Sequence, residues 1–329
     1  MNDVQVSLEA PPRLAFEGSR QFAFDNTSLS IFKECPRKYQ LSILNGYRAD
    51  HEAPPLLFGG WLHLGIEEYD HKIADGVEHQ AALRLAVRLL LEATVTRSKT
   101  EDGTEAFSPW TGDAKYRTRA TLIRSLVWYC EHYQSDPLET LVLPDGRKAL
   151  ELSFQMALPK FFHLDKPYLY CGHIDKIATY SSLGLFIQER KHTVQSMGSY
   201  YFDRYNPNSQ ITGYVFSGGT LVSQKINGAV IDAVQVAIDF SRCARSIQYR
   251  HPAQLDEWFQ DTLVWITRIE QAQASGSFPM NTESCHKFAG CQFRPVCSKH
   301  PGVRQSVLDT LFVKKGWDPL KVRGKGIED

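Results

Sequence analysis

The sequence has no long apolar run, and nothing in its 329 residues approaches the roughly 20 consecutive apolar positions that a membrane span needs. The polar start, MNDVQVSLEAPPR, lacks the basic and apolar regions of a secretory signal, so a cytoplasmic protein with no membrane partner is expected. Net charge is absent too: 37 Lys and Arg balance 37 Asp and Glu. Overall electrostatics therefore gives no support for nucleic-acid binding, and any such groove must be a local patch. A paired-cysteine framework is also missing, since seven cysteines is an odd number and their spacing is not that of a secreted disulfide scaffold. Reduced thiols, some of them metal ligands, fit better. What is there is 43% hydrophobic, enough for the core of one large domain or two small ones.

The stretch from Gly172 to Lys191 carries the most chemistry. Two apolar runs, YCGHIDKIATY and LFIQERKH, flank Ser181-Ser182-Leu183-Gly184, and Gly and Ser at such a junction predict a turn and hence a β-hairpin. Side chains alternate along the second run, so Leu185, Ile187, Glu189 and Lys191 share one face and Phe186, Gln188, Arg190 and His192 the other. Asp175, near the end of the first strand, is placed to converge with Glu189 on one ion. Two hard oxygen ligands beside an ammonium are what metal-assisted phosphodiester hydrolysis requires. By pattern alone, an arbitrary D…ExK is far more often a solvated pair of strand residues on an exposed face, because so short a pattern occurs by accident.

Other residues keep this pattern company. Cys285, Cys291 and Cys297 stand at two successive C-x5-C spacings, and thiolates so clustered prefer iron–sulfur clusters or zinc. Ser28, Phe32, Cys35, Pro36 and Tyr39 form an S-x-x-x-F-x-x-C-P-x-x-Y opening, although a Cys beside Pro is also a buried small hydrophobe. His63 follows Gly59 by four residues near an apolar helical stripe, where a hydrogen-bonded core histidine is the plain reading. Gln210 and Tyr214, four apart on a helix, share a face and can hold a phosphate or water, or form an ordinary surface pair.

Taken in order, Gly172-x-x-Asp175, Glu189-x-Lys191 and Gln210-x-x-x-Tyr214 resemble the PD-(D/E)XK nuclease superfamily in its RecB-like branch. The cysteines resemble its iron–sulfur subset, which includes AddB nuclease domains, CRISPR-adaptation nucleases and phage-encoded exonucleases. The resemblance implies an α/β fold: a restriction-endonuclease-like core with a mixed central sheet, flanking helices and a helical insertion. It implies that His63, Asp175, Glu189 and the Arg190 carbonyl bind Mg²⁺ or Mn²⁺. Lys191 then assists the water, while Gln210 and Tyr214 position the strand. A [4Fe–4S] cluster is expected on Cys35, Cys285, Cys291 and Cys297, with zinc as the alternative and His286 or His300 as a ligand. The chain departs from the usual C-x2-C-x5-C spacing, and no Pro precedes Asp175. The expected activity is that of a DNA nuclease, an exonuclease on single-stranded DNA ends in recombination, repair or phage DNA processing. It would act in a bacterial or phage-infected host cell, alongside a recombination or helicase partner. The rival is a non-catalytic DNA-binding or recombination-partner subunit that retains the fold.

The expected organisation is an N-terminal arm (1–25), a nuclease domain (26–300) with a helical insertion at about 70–140 and the cysteine cluster at 285–297, and a basic, mobile tail (301–329). Helices are expected from a cap at Thr27-Ser28, after Gly59-Gly60, over 77–97 and 114–135, from Asn206-Pro207, and over PAQLDEWFQDTLVWITRIEQAQAS. The segment between the second pair of these reads as a polar connection. Lys115, Arg117, Arg119 and Arg124 read as a solvated basic face. KALELSFQMAL alternates as a half-buried strand, with Glu151 on the face opposite Leu150 and Leu152 and able to approach the metal site from a second layer. NGAVIDAVQVAID reads as a further strand, and Cys130, Cys171 and Cys243 as packing residues.

Overall fold

In the computed structural model the chain divides into two compact units, the first built from residues 1–52, 153–172 and 252–322, the second from 53–152, 173–251 and 323–329. The structure describes residues 6–7, 15–18, 20–50, 52–99, 104–113, 115–158, 168–287 and 290–321. Pro11-Pro12 of the expected arm and the basic residues Arg323 and Lys325 lie outside them. Among the described residues no helix is long and apolar enough to cross a membrane.

A mixed sheet organises the second unit. The expected hairpin is present: Leu169–Tyr180 pairs antiparallel with Gly184–Thr193, with Lys176 opposite Gln188, and a 3-10 turn over Ser181–Leu183 closes it. Gly184 leaves that turn at φ +90, a conformation that glycine adopts without strain. The Glu189 strand then pairs in parallel with Ile226–Val236, Glu189 lying opposite Ile231. Parallel neighbours need a crossover, and the helix Ser209–Val222 lies on that connection. Leu138–Thr140 and Ser241–Tyr249 add antiparallel strands. Ser241–Tyr249 was not expected. Its Arg242, Arg245 and serines give no apolar run, and it forms by pairing along Gly228 to Val236 of the neighbouring strand.

Three helices, Pro54–Ala74, His79–Ala93 and Arg119–His132, pack together through Leu62, Ile66, Leu83, Ala86, Leu90, Leu122 and Leu126, on the stripes that their periodicity predicts. Gly59 and Gly60 lie inside the first of these helices rather than ahead of it. A Cβ on Gly59 would stand 2.8 Å from Cε1 of His192, so glycine is what lets the helix approach the Glu189 strand. The connection between the second and third helices is a hairpin, Val95–Lys99 with Glu105–Pro109, not a plain loop. The expected basic face is largely engaged within the fold. Arg119 donates to Thr94 and the Leu91 carbonyl, Arg124 donates to the carbonyls of Ala237, Ile238 and Phe240, and Arg117 pairs with Asp113.

In the first unit the helix Asn26–Glu34 is capped by Asp25, two residues before the expected cap. Its carboxylate accepts from the Ser28 amide, and the Ser28 hydroxyl accepts from the Asp25 amide. Pro36 opens the next helical turn as expected, and Leu29, Phe32, Tyr39 and Ile43 are buried. The strand Leu150–Ala157, whose first three residues belong to the second unit, alternates in burial as its sequence does, and Val6–Ser7 pairs with its far end. Trp258, Ile266 and Ile269 form the buried face of the helix Pro252–Ser275. The segment expected as a mobile tail is built structure up to Lys321. Arg304–Leu311 is helical, Val313–Lys314 pairs with Tyr47–Arg48, and the Trp317 indole donates to Asp25. Cys171 packs with Ala23 and Leu169, while in the second unit Cys130 and Cys243 sit in the helical core.

Candidate active site

The residues expected to act together from the hairpin, the His63 helix and the Gln210 helix all fall in the second unit. Asp175 and Glu189 lie on adjacent antiparallel strands, one residue beyond the Lys176–Gln188 pair, so their side chains share a face. Both carboxylates are buried, at 4% and 3% exposure. Asp175 accepts from the Arg190 amide at 2.9 Å and has the His63 Nδ1 at 3.6 Å. His63 Nε2 lies 3.1 Å from the Arg190 carbonyl. The peptide units on either side of Arg190 thus touch two of the expected ligands, the amide holding Asp175 and the carbonyl facing His63.

The Arg190 side chain is itself gripped. It points to the opposite face of the strand and ion-pairs with Asp70, two turns along from His63 on the same helix, with the Tyr129 hydroxyl at 3.4 Å. Lys176 approaches the same Asp70 carboxylate at 3.8 Å. Behind them, fully buried Asp232 accepts from Tyr129, Gln188 and Arg245, and Arg245 bridges bidentately to Asp136. Nothing in the local sequence announces Asp70, Tyr129 or Asp232, because each pairs with residues tens of positions away.

On the Glu189 side, Lys191 donates to Glu189 Oε1 and lies 3.5 Å from Gln210 Oε1, and Gln210 Nε2 donates to the Tyr214 hydroxyl at 3.2 Å. The four residues form one hydrogen-bonded chain. The Gln210 helix starts at Ser209 with Asn208 as its cap, two residues after the expected start at Asn206.

The two hairpin carboxyls are driven apart in acidity. Burial opposes ionisation of Asp175, but the His63 imidazole and the Arg190 guanidinium outweigh it and hold the carboxyl well below its ordinary value. At Glu189 burial wins, aided by the Asp175 charge and only partly offset by Lys191, so its carboxyl is pushed up. Burial works against the Lys191 ammonium, yet Glu189 raises its pKa, which keeps the amine charged at neutral pH.

A divalent ion fits this donor set. Among the described residues, Glu189 Oε2 and His63 Nδ1 are buried atoms with no hydrogen-bond partner, a costly state for polar groups unless a cation takes them. Ligand atoms of His63, Asp175 and Glu151 lie within 4.8 Å of one another. Sequence reasoning expected Glu151 to approach the site from a second layer, and the structure brings it near His63 and Asp175. Alternation gives the face of a strand residue, not its distance.

The expected soft-ligand residues all fall in the first unit. Cys35 Sγ accepts from the Asn281 amide at 3.4 Å, and the Cys285 thiol points to the Asn281 carbonyl at 4.0 Å. The Cys291 amide donates to the Cys285 carbonyl, and Cys297 feels both Cys291 and Cys35, after burial, in the raising of its thiol pKa. Of the two candidate histidines, His300 uses Nδ1 to accept from the Gly302 amide.

No curated protein matches the chain. The family comparison, however, aligns residues 26–298 with the PD-(D/E)XK nuclease superfamily, a span that takes in the helix of His63, the Asp175–Lys191 hairpin and the Gln210 helix. With most of its length matched and a mixed sheet with flanking helices as its core, the chain belongs to the PD-(D/E)XK nuclease superfamily.

Proposed function

We propose that the protein is a divalent-metal-dependent deoxyribonuclease of the RecB-like branch, acting as an exonuclease on single-stranded DNA ends during recombination, repair or phage DNA processing. The observation that carries this reading is the approach of His63 and Asp175, with Glu189 across the hairpin from Asp175 on the same face and joined to the Lys191–Gln210–Tyr214 chain. When bound, Mg²⁺ or Mn²⁺ supplies Lewis-acid polarisation of the phosphate and an activated water. His63, Asp175, Glu189 and the Arg190 carbonyl would hold it. Lys191, kept charged by Glu189, offsets negative charge at the phosphate and orients the attacking water. Gln210 and Tyr214 position the scissile strand. In the same reading Cys35, Cys285, Cys291 and Cys297 hold a [4Fe–4S] cluster, with zinc as the alternative soft-metal occupant. The protein acts in the cytoplasm beside a recombination or helicase partner.

Incubating the protein with end-labelled single- and double-stranded DNA, with Mn²⁺ or with chelator, tests this reading. Metal-dependent loss of label from single-stranded ends is expected. Lys191→Ala lowers the rate by a factor on the order of 10²–10⁴. The same change strands the buried Glu189 carboxylate, so the variant melts at lower temperature without metal, and Mn²⁺ recovers part of the loss. DNA binding without cleavage at any metal concentration would instead mark a non-catalytic subunit.

A further inference from the structure

We propose that Glu151 is a direct ligand of the divalent ion, supplying a carboxylate from a strand outside the Asp175–Lys191 hairpin. This inference rests on the metal-dependent reading above and extends its ligand set. The first observation is geometric: His63, Glu151 and Asp175 bring one ligand atom each to within 4.8 Å of the others, a spacing that one cation can share. The second is independent of Glu151. Glu189, 3% exposed, leaves Oε2 without a hydrogen-bond partner among the described residues while its other oxygen is held by Lys191. Glu189 stands across the hairpin from Asp175 with its side chain on the same face, so the unpartnered oxygen lies on the side that carries Asp175.

The backbone at Glu151 also makes sense on this view. Its φ is +44, in the left-handed region that a non-glycine residue enters only at a cost, and the adjacent Leu150 amide turns back onto the Lys148 carbonyl. Glycine or asparagine would take that bend more cheaply. A glutamate there is explained by what its side chain reaches.

Two measurements on the full-length protein decide the matter. In crystals soaked with Mn²⁺, an anomalous-scattering map is expected to show the ion bound by Asp175 and Glu189, with a Glu151 oxygen at about 2.0–2.6 Å, the range for hard divalent ions. By calorimetry on chelator-treated protein, Glu151→Gln binds Mn²⁺ at least about tenfold more weakly than wild type. Glu151→Gly loses affinity likewise but melts no lower than wild type without metal, because glycine relieves the bend; a merely structural Glu151 predicts a lower melting temperature. An ion on Asp175 and Glu189 with Glu151 beyond ligand distance, or wild-type affinity in Glu151→Gln, overturns the inference and leaves the proposed function standing. Absence of Mn²⁺ from Asp175 and Glu189, with unchanged affinity in Asp175→Asn, overturns both.

Discussion

The two candidate sites differ in what holds their donor atoms in place. In the second unit the donors rest on a scaffold of buried charge: Asp70 grips Arg190, Lys176 shares that carboxylate, and Arg245 ties Asp232 to Asp136. In the first unit Cys35 and Cys285 meet the backbone of Asn281, and Cys291 and Cys297 pack on Leu41, Tyr47, Phe293 and Val296. Buried ion pairs orient charged side chains directly, whereas around the thiols neutral hydrogen bonds and apolar packing hold the backbone. The carboxylate donors are thus set by charge, while segments some 250 positions apart, from Cys35 to Cys285, are joined by Asn281 and Ser284 donating to the Glu34 carbonyl, and the proposed metal would add to that link.

The sharpest way to break this contrast is at the thiols. Cys35→Ser is expected to cost the first unit several kcal/mol, the scale of a structural metal, and to abolish the visible absorption of an iron–sulfur chromophore. Hydrogen exchange would show lost protection around Cys285 to Cys297, while Mn²⁺ affinity in the second unit stays as in wild type. Equal loss of protection along the Asp175 strand would show that the two sites are not held differently.

Next in size is Asp70→Asn, which leaves the guanidinium of Arg190, 3% exposed, without its carboxylate partner. Denaturant unfolding is expected to register a loss of about 3–5 kcal/mol, with weaker Mn²⁺ binding because the peptide units of Arg190 are no longer fixed against Asp175 and His63. A variant with wild-type affinity would mean that the scaffold stabilises without positioning.

The smallest effect comes from acid. Burial opposes ionisation of Asp136, but Arg245 prevails and holds its carboxyl below the ordinary value. Its stabilisation is complete above the ordinary carboxylate range and is lost as pH falls through the lower folded value. Asp25, in the first unit, is displaced the other way. Burial pushes its carboxyl up despite hydrogen bonds from Ser28 and Trp317, so its ionisation removes stability as pH rises from the ordinary value through the folded one. Since Asn caps a helix as well as Asp, Asp25→Asn should be within about 1 kcal/mol of wild type at neutral pH, or more stable. Asp136→Asn should be less stable at neutral pH and equal to wild type in strong acid. Melting both variants across pH tests the opposite signs.

Much of the site was legible in the sequence because its signals are local. Alternation gave the faces of Glu189 and Lys191, the Ser-Gly turn gave the hairpin, and four-residue spacing put Gln210 beside Tyr214. Where neighbouring residues offered equal choices, the reading slipped. Asp25, Thr27 and Ser28 are all good caps, and the tertiary partner Trp317 favours Asp25. Gly59 reads as a helix boundary by propensity, and only the approach of His192 explains a glycine inside the helix. The strand Ser241–Tyr249 hides behind its arginines, one of which, Arg245, faces inward to Asp232 and Asp136. The bend at Glu151 has no signature at all, since glutamate is not a residue that announces a left-handed backbone.

The interleaving of the two units bears on how the molecule is made. A ribosome releases residues 53–251, nearly all of the second unit, before the helix from Pro252 and the last three thiols exist. The carboxylate constellation can thus mature on a nascent polypeptide whose other half still awaits its closing segment. Cutting the gene before Pro252 would strip the first unit of its longest helix and three of its four candidate sulfur ligands, while leaving every residue of the proposed cleavage centre in the product.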